Sequence, residues 1–160
     1  MKIALLRVDE RLIHGQVTMG WARSTGANLL LAINDKVAKD AFQKNVMKMA
    51  APPGVDIEIV SVDEAAENLK NSTYANRSVL LLVRNPMDVV RLIEQGVELK
   101  KINIGGVRQP GANIKLTKEV QATPEELEAW KKLDQMDVKM EVQWLPGQGI
   151  TNLNEIVRKK

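Results

Sequence analysis

The sequence predicts an α/β protein: an open, mainly parallel central sheet of six to seven strands, with helices on both faces and an antiparallel edge strand near the C-terminus. Three observations predict it. Short apolar runs alternate with amphipathic stretches of helical period along the whole 160-residue chain. The run SVLLLV, residues 78–83, is apolar at every position after its serine, as a central strand covered on both faces must be. Several of the stretches between such runs open on capping residues, and two close on glycine, which marks them as crossover helices.

The elements follow in order. Residues 3–8 read as a buried first strand, and a helix over about residues 15–23 is stopped by Gly26. NLLLAIND, residues 28–35, is a second strand ending in turn residues. Ala38, Ala41, Phe42, Val46 and Met49 share one face of a long helix, predicted to turn inward, and Pro52, Pro53 and Gly54 end it. Residues 55–60 form a third strand, and Ser61 with Glu64 makes a capping box for a short helix to about Leu69. After the strand at 78–83, Asn85 and Pro86 open a helix with Val89, Leu92 and Ile93 inward, closed by Gly96. KINIGGV is a fifth strand ending in Gly105 and Gly106. Residues 109–120 read as irregular, with a short strand near 114–116. Thr123, Pro124 and Glu126 start a capped helix whose inner stripe is Leu127, Trp130 and Leu133. Residues 138–144 alternate as a strand with one exposed face, and residues 152–160 form a terminal helix. No repeat or linker interrupts this series, so residues 1–160 read as a single domain.

Composition narrows the chemistry. There is no cysteine, which excludes disulfides and thiolate metal sites. One histidine and no cysteine leave only carboxylates for a metal, so no metal site is expected. No apolar run reaches the ~20 residues of a membrane span, and the first is too short for a signal peptide. The net charge of +3 is mild and its lysines are scattered without interleaved aromatics, so no nucleic-acid partner is expected. Neither the phosphate-loop pattern nor the dinucleotide fingerprint is present, which argues against a nucleotide-using enzyme. No nucleophile-elbow pattern supports a serine-type triad.

In a parallel α/β sheet, every strand-to-helix loop lies on one edge, where sites form. The loops to inspect are therefore those at Asp9 to His14, Asn34 and Asp35, Ser61, Arg84 and Asn85, and Gly105 to Arg108. The first, in RVDERLIHGQV at residues 7–17, carries the chain's one histidine, His14. A neutral imidazole is a nucleophile near neutral pH and can take a phosphoryl group. The transferring group spreads charge over its oxygens and needs cations and N–H donors already in place. Arg7 and Arg11 supply charge, Gly15 and Gln16 open a helix whose N–H groups welcome an anion, and Asp9 orients either the imidazole or Arg11. A nearby arginine also keeps the imidazole neutral. A plainer reading makes His14 a surface or capping residue and Asp9 with Arg11 a local ion pair. Gly105, Gly106 and Arg108 could add donors and charge, or simply form a tight exit from the sheet. Trp21, Trp130 and Trp144 read as core or interface anchors.

RVDERLIHGQV closely resembles the signature loop of the IIB components of the mannose/fructose/sorbose family of the bacterial sugar phosphotransferase system. The resemblance runs the whole chain and includes the segment from Asp35 to Asp40, RNP-x-D-x-x-R-L-I-E-x-G from Arg84 to Gly96, and N-I-G-G from Asn103 to Gly106. It implies a cytoplasmic phosphocarrier, held at the membrane through IIC and IID, with no cofactor. His14 would take a phosphoryl group, through Nδ1, from a IIA phosphohistidine and pass it to the sugar brought in by the membrane IIC and IID subunits. By the same resemblance Asp9 and Arg11 support the phosphoryl group. Members often carry histidine or methionine near the position of Val107 and Arg108, where this chain has arginine. The chain reads as a IIB unit alone, with a homo-oligomer also open. A carrier needs an exposed histidine on a flat face that two partners use in turn, so Ile13, Met19 and Arg11 are expected to serve docking and Val17 the core. The competing reading is a regulatory module, phosphorylated at His14 without passing the group to sugar.

Overall fold

The computed structural model describes residues Met1–Lys160. The chain begins with β1 (Lys2–Val8), α1 (Gly15–Thr25), β2 (Leu29–Ile33), α2 (Asp35–Ala38) and α3 (Ala41–Lys48). Then come β3 (Asp56–Val60), α4 (Val62–Lys70), β4 (Ser78–Val83), α5 (Pro86–Glu94) and β5 (Lys101–Ile104). A two-stranded ribbon, β6 (Ile114–Lys115) and β7 (Gln121–Ala122), precedes α6 (Pro124–Gln135), β8 (Lys139–Val142), β9 (Thr151–Asn152) and α7 (Leu153–Arg158).

Seven strands form the sheet in the order β3-β2-β4-β1-β5-β8-β9. The first six are parallel, and only β9 runs against its neighbour, β8. The expected class, sheet and antiparallel edge are all present. Strand β4 lies between β1 and β2 and is buried over Val79 to Val83, as its apolar run requires.

Strand alternation divides the interior into two cores. Leu29, Leu31, Val79, Leu81 and Val83 face a large core shared with Val62, Leu92, Trp130 and Val157 of α4–α7. Leu30, Ala32, Leu80 and Leu82 face a smaller core with Leu12, Trp21, Ala22 and Val37. The smaller core contains no residue of β5 or β8. On that side the outer sheet is polar instead: Asn103 of β5 faces Gln143, and Glu141 lies within 3.6 Å of Lys101 and Lys139. This uncovered half-face is the exposed side read from the alternation of residues 138–144.

Helix starts follow local chemistry. Asn34, Asp40, Ser61, Asn85, Thr123 and Asn152 each accept a backbone N–H two or three residues into the next helix. Thr123 and Glu126 complete the reciprocal capping box, whereas at Ser61 only the hydroxyl bond to Glu64 N–H forms. Helix α1 alone starts without a capping side chain.

Two expectations need correction. The long helix after β2 is broken at Lys39 and Asp40, because extended Asp40 caps a new helix by accepting the Gln43 N–H at 3.1 Å. Its supposed inner face points outward: Phe42, Val46 and Met49 are all exposed, while Met47 packs partly on the smaller core. The short strand expected near residues 114–116 forms as β6, where Ile114 pairs with Ala122, and Val107 also bridges Val120.

Candidate active site

Strand β1 delivers its loop to the sheet edge still tethered on both sides. Asp9 N–H donates to Val83 O of β4 and Glu10 N–H donates to Gly106 O beyond β5, each at 2.9 Å. The chain then turns back on itself. Leu12 N–H donates to Asp9 O at 3.0 Å, with Leu12 in the left-handed region at φ 56°. That conformation costs a leucine about 1 kcal/mol or more, and burial of its side chain in the smaller core holds it there. Gly15 follows at φ 43° with open space around it, so backbone conformation rather than crowding calls for glycine. Thr18 Oγ1 accepts the His14 N–H at 2.9 Å and anchors the start of α1.

The turn brings His14 back onto Asp9, with Nε2 lying 3.4 Å from Asp9 Oδ2. Buried Asp9 is also the acceptor for Arg11. Its Oδ1 takes the Arg11 backbone N–H and Nε, and its Oδ2 takes Nη2, all at 3.1 Å. Burial disfavours the Asp9 carboxylate, but the bonds from Arg11 and the charges of Arg11 and Arg7 outweigh it and hold its pKa below the ordinary value.

Arg7 lies beneath this pair. It is 2% exposed, donates to Asn103 Oδ1, to Gln143 O at 2.9 Å and to Trp144 O at 3.1 Å, and comes within 3.5 Å of Asp9. Its guanidinium also stacks 4.9 Å from the Trp21 ring. Desolvation lowers its pKa to about 10, against the pull of Asp9, so it stays cationic near neutrality. Gly105 makes room for it: a Cβ there would overlap the Arg7 guanidinium and lie 2.5 Å from Asp9 Oδ2.

Arg11 is more exposed and lies 4.7 Å from the Trp144 ring. Trp144 is fixed in turn, since its carbonyl accepts from Arg7 and from Trp21 Nε1 at 3.2 Å. His14 itself is 23% exposed. Burial lowers its pKa, with Arg11 and Arg7 adding to that and Asp9 opposing it. This favours the neutral imidazole near pH 7, and the Asp9 contact at Nε2 favours the tautomer whose Nδ1 lone pair is free.

The structure thus brings His14, Asp9 and Arg11 together. Arg7 joins them from below, not as a surface cation, because four polar partners and the Trp21 ring enclose its guanidinium. Gly15 and Gln16 are exposed in the first turn of α1, which holds no acidic side chain. Arg108 is not part of the cluster. It is exposed beside a cleft of about 400 Å³ lined by Lys118, Glu119, Trp144 and Gln148. Ile13 and Val17 both pack partly on the smaller core, and Met19 borders a cleft with Pro52 and Pro53 near the far end of α1; Ile13 and Met19 are half-buried. Asn34, Ser61 and Asn85 serve as helix caps, while Asp35 binds Val62 N–H and Arg91. Gly105 was read from the sequence as a possible N–H donor and serves instead as the gap that admits Arg7; Trp144 and Asn103 were not read as parts of this site, and a polar Asn103 inside an otherwise apolar strand was the available signal. No group of three or more histidine, cysteine or acidic residues is placed to hold a metal ion.

Comparison with known proteins decides the family. The family model "PTS system sorbose subfamily IIB component" matches residues 3–160. The chain belongs to this family. It is 37% identical over 142 residues to the sorbose-specific EIIB component of Klebsiella pneumoniae, covering 89% of this chain and 87% of that one. It is equally similar, over the same length, to 44% of the mannose-specific EIIAB component of Escherichia coli K12. The crystal structure of the IIBSor domain of the Klebsiella pneumoniae sorbose permease superposes with a TM-score of 0.93 at 34% identity, covering 100% of this chain and 98% of that domain. As a IIB component the chain is a phosphotransferase domain of a sugar-transport system. The superposition spans the whole chain, so the β1–α1 loop lies on a shared scaffold.

Proposed function

We propose that the chain is a phosphocarrier in which His14 receives a phosphoryl group from the phosphohistidine of a IIA partner and passes it to a sugar handled by membrane IIC and IID subunits. The observation that carries this reading is the Asp9 contact at His14 Nε2, which leaves Nδ1 without a hydrogen bond. Asp9 holds the tautomer protonated at Nε2, so the Nδ1 lone pair attacks phosphorus. The P–N bond to the donor breaks as the new one forms, and the imidazole proton stays on Nε2 beside Asp9. The phosphohistidine cation this creates is offset by the Asp9 carboxylate. Arg11 supplies charge to the phosphoryl oxygens, and the N–H groups of Gly15 and Gln16 point from an uncapped helix start. Arg7 acts at one remove, holding Asp9 in place. In the second half-reaction the P–N bond breaks and the sugar hydroxyl gains the group and loses its proton.

No cofactor is required. The fused EIIAB relative joins IIA and IIB in one chain, which fits IIA as donor. On this reading the membrane step falls to IIC and IID and the chain acts from the cytoplasm; no helix here is long and apolar enough to cross a membrane. Incubation with enzyme I, HPr, IIA and labelled phosphoenolpyruvate tests the reading. The label is expected on the chain as an acid-labile, base-stable adduct and absent from His14→Ala. Adding IIC/IID membranes and sugar should discharge it as stoichiometric sugar phosphate. Label retained by His14→Ala refutes the proposal, and a label that membranes and sugar never discharge leaves a regulatory module instead.

A further inference from the structure

Helix α3 is built inside out. Met47 and the half-buried Lys44 lie on its inner side, whereas Phe42, Val46 and Met49, at i, i+4 and i+7, are 77%, 51% and 85% exposed. Single exposed apolar side chains are ordinary, but a stripe of three on one helix marks a surface that is covered in use. Positive charge accompanies the stripe: Lys36, Lys39 and Lys48 are exposed in the same segment of chain. The two acids of the segment are spent locally. Asp35 accepts the Val62 N–H and pairs with Arg91, each at 2.9 Å, and Asp40 caps α3. A second copy seated on this face would set lysine against lysine. The principal clefts lie elsewhere, so the stripe is a ridge and offers no slot for an inserted peptide.

We propose that the outer face of α3 rests on the anionic surface of a lipid bilayer. Phe42 and Met49 enter the boundary between headgroups and acyl chains, and the lysines extend to lipid phosphates. A ridge of flexible apolar side chains with lysines in the same segment suits a deformable anionic surface better than a rigid partner. The connection from β2 to β3 starts at the carboxyl edge of the sheet and returns to its amino edge, so α3 runs along one face of the sheet. The inference is independent of the phosphoryl-transfer reading, because none of these residues touches His14, Asp9 or Arg11.

The test is co-sedimentation of the full chain with vesicles of phosphatidylglycerol and phosphatidylcholine, or of phosphatidylcholine alone. The chain is expected to bind only the anionic vesicles and to be released by salt, since the contact is partly Coulombic. The double variant Phe42→Ser/Met49→Ser should lower the bound fraction about tenfold while still accepting label from phospho-IIA, which shows that it is folded. As a gain of signal, Phe42→Trp should be quenched by brominated phosphatidylglycerol more than the wild type is. No binding to anionic vesicles, or binding unchanged in the double variant, overturns the proposal. So does a concentration-dependent dimer abolished by the same pair of substitutions, because the occupant would then be a second copy.

Discussion

At the scale of single residues, Asp9 is the hub through which the other side chains act. Arg11→Ala removes the two side-chain bonds to Asp9, leaving only the backbone N–H bond, and takes away the more exposed of the two arginine charges, and should slow transfer from phospho-IIA about 100-fold. It should also change the pH profile. Burial and the two arginines lower the His14 pKa, so the wild-type rate should persist as pH falls below the ordinary histidine value of ~6.5. Without Arg11, a more solvated imidazole faces a less neutralised Asp9, its pKa rises, and the acid limb moves to higher pH. Rates measured from pH 5 to 8 decide this, and an unmoved limb removes Arg11 from the account. Gly105→Ala tests the floor of the site. Its Cβ would displace Arg7 or Asp9, so a loss of about 1–3 kcal/mol in urea unfolding should accompany loss of label at His14; normal transfer would mean the cluster tolerates the shift. His14, Asp9 and Arg11 were legible in the sequence because one loop carries them. Arg7's burial was not, since its partners Asn103 and Trp144 lie 96 and 137 residues away and only the sheet brings them near.

At the scale of elements, start signals were easy to read and directions were not. Asn85 before Pro86 and Thr123 before Pro124 announce helices through bonds spanning three residues, and both form. The periodicity over residues 38–49 correctly grouped Phe42, Val46 and Met49 on one face but could not say which way it turned. The Asp40 cap, which restarts the helix, settled that. Of the ribbon, β6 was expected near residues 114–116, while its partner β7, two residues long, is too short for any period to show. The last helix is secured by a polar side chain rather than by apolar pattern. Asn154 accepts the Met140 N–H at 2.8 Å and donates to Val138 O and Asp134, stitching α7 to β8. Asn154→Ala leaves the strand N–H unpaired and buried, and should cost about 1–3 kcal/mol in chemical denaturation with His14 labelling unchanged at low temperature. An unchanged midpoint would show that α7 docks through Leu153 and Val157 alone.

At the scale of the molecule, alternation of strand and helix told the class of fold, and the strand order explains which edge loops form the site. Strands β1 and β5 are neighbours, yet the chain leaves β1 toward β2 on one side and β5 toward β8 on the other. Their loops therefore diverge around one point, where Asp9 and His14 meet the space cleared by Gly105. Sequence could list five loops on that edge but not this adjacency, because strand order depends on which apolar faces pair. The loops after β2, β3 and β4 went to helix caps instead. One partly exposed imidazole at one point of the edge has a consequence for traffic. Donor and acceptor must each bring a reacting atom to within about 3–3.5 Å of the same nitrogen or its phosphorus, so on the proposed function they cannot dock together. A IIA variant whose own phosphorylatable histidine is replaced can still bind but cannot take the group back. Added in excess to pre-phosphorylated chain with IIC/IID membranes and sugar, it should slow sugar phosphate formation competitively, with inhibition overcome by more membranes. Vesicle binding through α3, whose stripe does not touch His14, Asp9 or Arg11, should be untouched by the same IIA. If sugar phosphate forms at full rate under saturating IIA, the two partners use separate faces and His14 must move between them.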